Sequence, residues 1–88
     1  MSAKVSIVVT TYNGAKYLAA QLDSILAQTH QELEILISDD ASMDDTWAIA
    51  QNYAIKDARI RLLRHEKNVG LHANLNTALA KASGEYIA

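Results

Sequence analysis

The sequence predicts a three-layer α/β fold, a parallel sheet with helices packed on its faces. Short β-branched runs alternate with segments of helical spacing, and turn signals separate the two kinds of segment. A strand-helix-strand order recurring along one chain implies right-handed crossovers and a parallel sheet covered on both sides. That is a Rossmann-like arrangement.

The elements follow in order. Val5, Ile7, Val8 and Val9 form the first strand, which is expected to stop at Thr10-Thr11-Tyr12-Asn13-Gly14, because Asn13-Gly14 is a strong turn signal. From Ala15 the apolar residues Leu18, Leu22, Ile25 and Leu26 fall on one helical face, with Lys16, Gln21, Asp23 and Gln28 between them. Leu33 to Ser38 reads as a second strand, followed by a helix from about Asp44 to Lys56 with Trp47, Ala50, Tyr53 and Ala54 on one side. Arg59 to Arg64 is the third strand. The next helix carries Leu71, Leu75, Ala78, Leu79 and Ala82 on its expected buried face, with Gly84 as its stop. Tyr86, Ile87 and Ala88 begin a fourth strand, an exposed edge that would favour dimerisation.

Composition narrows the function. Half of the 88 residues are hydrophobic, which suits one small globular unit. Eight Lys and Arg against ten Asp and Glu leave a net charge of −2 without a basic block, so nucleic-acid binding is not expected. With no Cys there is no disulfide framework, thiol nucleophile or thiolate metal site. The apolar stretch after Lys4 is too short for an export signal, and no run approaches the roughly 18 residues of a membrane span. The expectation is a cytoplasmic protein, with peripheral contact at the inner face of the cell membrane left open.

Parallel sheets bind ligands at the carboxyl ends of their strands, where the winding order reverses. The loops after the first three strands, YNG, DDASMDD and HEKNVG, would share that rim. In the acidic loop, Ser42 and Asp45 have capping-box spacing, and Asp44 and Asp45 in a first helical turn would favour the helix dipole. Capping does not explain Asp39 and Asp40, adjacent carboxylates at the strand end that call for an external partner. A ribose hydroxyl, or the N3–H of uracil or thymine, would serve. Tyr12 offers a ring for base stacking, and the Thr10 and Thr11 hydroxyls can bond to base or phosphate. Gly14 would let the backbone turn so that the amides of its helix face a phosphate.

Three stretches, VSIVVTTYNGAKYLAAQLDSILAQT, LEILISDDASMDDT and NVGLHANLNTALAKASGEYIA, resemble the start of the family 2 glycosyltransferases of the GT-A fold, in the family's order and spacing. The resemblance implies a nucleotide-sugar site in which Thr10 and Tyr12 contact the base, Asp40 holds its N3–H and Asp39 lies beside it near the ribose. Asn13 belongs to the same first loop, and Asn68 and Gly70 match the family's loop after strand three. It further implies an inverting transfer from a UDP- or dTDP-sugar to a sugar or lipid-linked acceptor, as in surface polysaccharide or cell-wall glycan synthesis. The family's D-x-D carboxylates, which hold Mg²⁺ or Mn²⁺, and its general base follow the GEYIA stretch, so residues 1–88 are expected to be the donor-binding half, without metal ligands or catalytic residues of their own.

Other readings compete less well. A nicotinamide-dependent dehydrogenase needs G-x-G-x-x-G after strand one, where only Gly14 stands. A response-regulator receiver would carry its acidic pair after the first strand. His30, His65 and His72 lack metal-ligand spacing, and no G-x-S-x-G nucleophile elbow is present. A non-catalytic nucleotide-binding or interaction module is the alternative of a different class.

Overall fold

In the computed structural model, residues 5–27 and 32–82 are described in full and residues 86–87 by their backbone. The order is β1 (Val5–Thr11), α1 (Ala15–Leu26), β2 (Leu33–Asp39), α2 (Thr46–Lys56), β3 (Ile60–Arg64), α3 (Leu71–Lys81) and β4 (Tyr86–Ile87). All strand pairs are parallel, and the sheet order is β3-β2-β1-β4. The chain winds outward from β1 through β2 to β3, then α3 carries it back across to β4. The winding therefore reverses at β1, as the ligand-binding rule for open sheets requires.

Both central strands run further than their sequence pattern suggests. Thr10 and Thr11 continue β1 because they pair with Ser38 and Asp39, and β-branched Thr suits a pleated strand. The ladder outlasts the turn signal. The third strand, by contrast, begins at Ile60 rather than Arg59, whose guanidinium and backbone N–H both bond to Asp57. The expected stop at Gly84 and the residues Ala88 and His30 lie outside the described residues.

Alternation along β2 divides the molecule into two layers. Ile35 and Ile37 face α1 and α2, where they join Val9, Leu18, Leu22, Ala50 and Ile60 in one buried cluster. Leu18 and Leu22 are the helical positions predicted to be buried, with Ile25 and Leu26 packed at the margin. Tyr53 and Ala54 join from α2, whereas Trp47 turns to the rim and lies 5.1 Å beneath the Arg64 guanidinium.

The layer under α3 is more polar. At its amino-terminal end Glu34 accepts from Ser6 Oγ at 2.9 Å and from Arg61 Nη1 at 2.8 Å. Burying a carboxylate at this position is tolerable because both of its oxygens are engaged. The residues that α3 buries are Asn74 and Ala78, while Leu71 (66% exposed), Leu75 (36%) and Leu79 (37%) lie outward. Ala78 is buried as its spacing predicts, but the three leucines expected beside it are not, which corrects that part of the expected face. Asn74 takes a place against the sheet because Ser38 satisfies its amide, which rotates the leucine row away.

Candidate nucleotide-binding site

The site is built where three loops meet at the carboxyl ends of the strands. The first two are fastened together by side chains. Asn13 N donates to Ser42 Oγ at 2.8 Å, and Asn13 Oδ1 accepts from Met43 N at 2.8 Å. Asn13 is left-handed (φ 51°), a conformation that Asn tolerates better than most residues. Gly14 has an ordinary φ of −104°, so the sharp turn expected there belongs to Asn13.

Asp39 stands behind this junction. It is fully buried, on the α1–α2 side of the sheet, and accepts from Thr11 Oγ1 (2.7 Å), Ser42 N (3.0 Å) and Ser42 Oγ (2.5 Å). The Arg64 guanidinium, 3.7 Å away, balances its charge. Asp39 ends β2 and Asp40 follows it, and their carboxylates meet different donors, Thr11 and Ser42 for Asp39 but Val69 and Gly70 for Asp40, so they do not share a site. The expectation that Asp39 lies beside Asp40 near a ribose is thereby corrected, and their mutual repulsion is relieved by geometry rather than by a ligand.

Capping is also assigned differently. Ser42 belongs to Asp39, and the N-cap of α2 is Asp45, which makes no side-chain cap bond. Asp44 does the capping, accepting from Thr46 N at 3.0 Å and from the Thr46 hydroxyl. The Thr46 hydroxyl is the main cause that holds the Asp44 carboxyl below its usual value of 3.8. Its second oxygen accepts from Ala15 N, the first amide of α1, at 3.2 Å. A carboxylate at that helix start disfavours the phosphate expected there.

On the other face of the sheet a cavity of about 280 Å³ is lined by Thr10, Thr11, Tyr12, Asp40, Asn68, Gly70, Leu71 and Asn74. It opens at β1, beside the start of α3. Thr10, Tyr12, Asp40, Asn68 and Gly70 are thus brought together, whereas Asp39 and Asn13 support the rim from behind. Tyr12 is 54% exposed and supplies an aromatic wall. Asp40, 3% exposed, accepts from Val69 N at 2.7 Å and Gly70 N at 2.9 Å, one on each oxygen. The carboxylate therefore shapes the third loop as well as the cavity. Each oxygen keeps a further lone pair.

Gly70 enters α3 with φ 89° and ψ 162°, a conformation open essentially to glycine alone. Gly70→Ala is expected to cost about 1–3 kcal/mol of stability, although no heavy atom lies within 4 Å of the added methyl. Urea denaturation of both proteins checks this; coincident transitions would show that the loop relaxes freely.

Sequence reasoning missed Asn74 and Leu71 as cavity residues. Asn74 interrupts an apolar helical face, and that polar break was the available signal. A second hollow, lined by Ala41, Ser42, Met43, Arg64, His65 and Glu66, lies on the Asp39 side. Among the described residues no group of three His, Cys, Asp or Glu is placed to hold a metal ion. Asp39 and Asp40 already face hydrogen-bond donors, so they do not fit a divalent cation.

Comparison with known proteins agrees with this fold. The chain is 42% identical over 84 residues to the UDP-Glc:alpha-D-GlcNAc-diphosphoundecaprenol beta-1,3-glucosyltransferase WfaP of Escherichia coli, covering 96% of this chain and 33% of the relative. The mannosyltransferase PcManGT of Pyrobaculum calidifontis, solved with GDP-Man and Mn²⁺, superposes with a TM-score of 0.90 at 31% identity over 99% of this chain and 26% of that one. S. aureus TarS in complex with UDP-GlcNAc gives a TM-score of 0.88 at 34% identity, over 96% of this chain and 25% of that one. The chain therefore spans between a quarter and a third of the length of these proteins. The family model described as Glycosyl transferase family 2 matches residues 6–88, and the chain belongs to that family, with the GT-A fold of its solved relatives.

Proposed function

We propose that this chain forms the donor-nucleotide half of an inverting glycosyltransferase that uses a UDP- or dTDP-sugar. The observation that carries the reading is one cavity at the β1 reversal lined by both an exposed aromatic ring, Tyr12, and a buried carboxylate, Asp40. The ring stacks on the base, and the carboxylate accepts its N3–H. Thr10 and Asn68 add polar contacts at the mouth.

In this reading the base is held by residues 10–12, 40 and 68–74, so the diphosphate extends along β1 toward β4 and the segment beyond it. A divalent cation, such as the Mn²⁺ found with GDP-Man in PcManGT, supplies charge stabilisation of the diphosphate leaving group. In this reading its ligands, the general base and the acceptor site belong to the part of the relatives' length that these 88 residues do not match. The acceptor is a sugar or lipid-linked sugar of a polysaccharide or cell-wall glycan, reached from the cytoplasmic side of the membrane.

Titrating UDP, dTDP, CDP, GDP and ADP into the whole protein tests the proposal. UDP and dTDP are expected to bind at least about tenfold more tightly than CDP, since cytosine sets its bare N3 against the Asp40 carboxylate. A flat profile across the five nucleotides would overturn the assignment of Asp40 to the base. Tighter binding of GDP or ADP would instead overturn the choice of pyrimidine.

A further inference from the structure

We infer that Asn74 is a second reader of the base, donating from its side-chain amide to a carbonyl next to the N3–H that Asp40 accepts. The inference rests on the nucleotide reading above and deepens it.

Asn74 lies one turn into α3, is 2% exposed, and still lines the cavity. A side-chain amide has two N–H donors and two acceptor lone pairs. Ser38 uses one of each: its hydroxyl donates to Asn74 Oδ1 at 2.5 Å, and Asn74 Nδ2 donates to the Ser38 carbonyl at 3.0 Å. These two bonds also orient the amide. Exchanging its oxygen and nitrogen would set Oδ1 against the Ser38 carbonyl oxygen, acceptor against acceptor. One N–H remains without a hydrogen bond to any described residue, on a side chain that can hardly reach bulk water. A buried donor without a partner costs free energy, and the cavity is where its partner would enter.

The chemistry of that partner follows from the second polar group. Asp40 accepts only, and Asn74 is left with a donor; Ser38, which holds Asn74, stands two residues before Asp40, and Asn74 and Asp40 line the same cavity. An acceptor next to a donor matches an imide edge, a ring N–H flanked by C=O. Uracil and thymine present that edge. Cytosine sets a bare ring nitrogen against Asp40, and where Asn74 reads the carbonyl at C4 it also sets an amino group against the Asn74 donor. Tyr12 and Leu71 give the ring its apolar walls. Selection is thus made twice, and Asn74 should account for discrimination that persists when the N3–H is present.

The test uses UDP, 2-thio-UDP and 4-thio-UDP, titrated into the whole protein and into its Asn74→Ala and Asn74→Asp variants. All three ligands keep the N3–H, and each analogue replaces one carbonyl oxygen by a poorer acceptor. The wild type is expected to bind one analogue about fivefold more weakly than UDP. Both variants should lose that difference. Asn74→Asp, with its carboxyl protonated, retains an acceptor for the Ser38 hydroxyl and a donor for the Ser38 carbonyl but no second donor, and covers the case in which the Ala variant fails to fold. If Asn74 only ties α3 to β2, the variants weaken all three ligands alike and the ratio survives, which overturns the inference, as does a wild type that binds the three equally. A wild type that binds none of them overturns the nucleotide reading itself.

Discussion

Asp39→Ala is expected to destabilise the chain by about 3–5 kcal/mol, because it leaves three buried donors without their acceptor. Thr11 Oγ1, Ser42 N and Ser42 Oγ all point at this one carboxylate, and Arg64 loses its counter-ion. Each stranded buried group costs about 1–3 kcal/mol on its own, though the losses do not add fully. Folded domains are stable by only about 5–15 kcal/mol, and a short chain falls toward the lower end. The variant is therefore expected to be largely unfolded at 37 °C. Ser42 also holds Asn13, so the first two loops separate when Asp39 is lost and nucleotide affinity falls with them. Urea denaturation followed by circular dichroism measures the effect. A midpoint equal to that of wild type would show that the network is dispensable.

Asp40→Ala is expected to weaken UDP binding by about 1–3 kcal/mol, the size of a hydrogen bond to a charged group. Stability falls too, since the amides of Val69 and Gly70 lose their acceptor; unlike Asp39, Asp40 stands at the cavity wall, where water can replace part of the loss. The two carboxylates thus separate by observable. Asp39→Ala acts mainly on the denaturation midpoint, and Asp40→Ala on both midpoint and affinity. Asp40→Asn sharpens the contrast, because its amide sets an N–H against one of the two backbone donors. Titration of UDP into the folded fraction of each protein gives the comparison. Equal affinities for wild type and Asp40→Ala would remove Asp40 from base recognition.

Periodicity carried the secondary structure because it records which face of each element is removed from water. β1, α1, β2 and α2 lie within two residues of their expected bounds, and Leu18, Leu22 and Ala50 are buried as their spacing required. On α3 the same rule held for Ala78 but failed for the leucines. Their row looks like a core stripe, yet Asn74 and Ala78 meet the sheet, because Ser38 offers an amide both a donor and an acceptor. That match depends on two residues 36 positions apart. No local pattern records it.

The acidic loop shows the same division between local and tertiary information. The sequence by itself determined the α/β class, the placing of three loops on one rim, and the family, since strand and helix alternation and ordered motifs are local properties. It placed Asp39 and Asp40 side by side, as chain neighbours must be. Only the tertiary structure decided that they work on opposite faces of the sheet, one fastening loops inside the protein and the other at the cavity. The physical reason is that a carboxylate's role is set by the donors around it, and here nearly all of them, from Thr11, Arg64, Val69 and Gly70, arrive from other strands and loops.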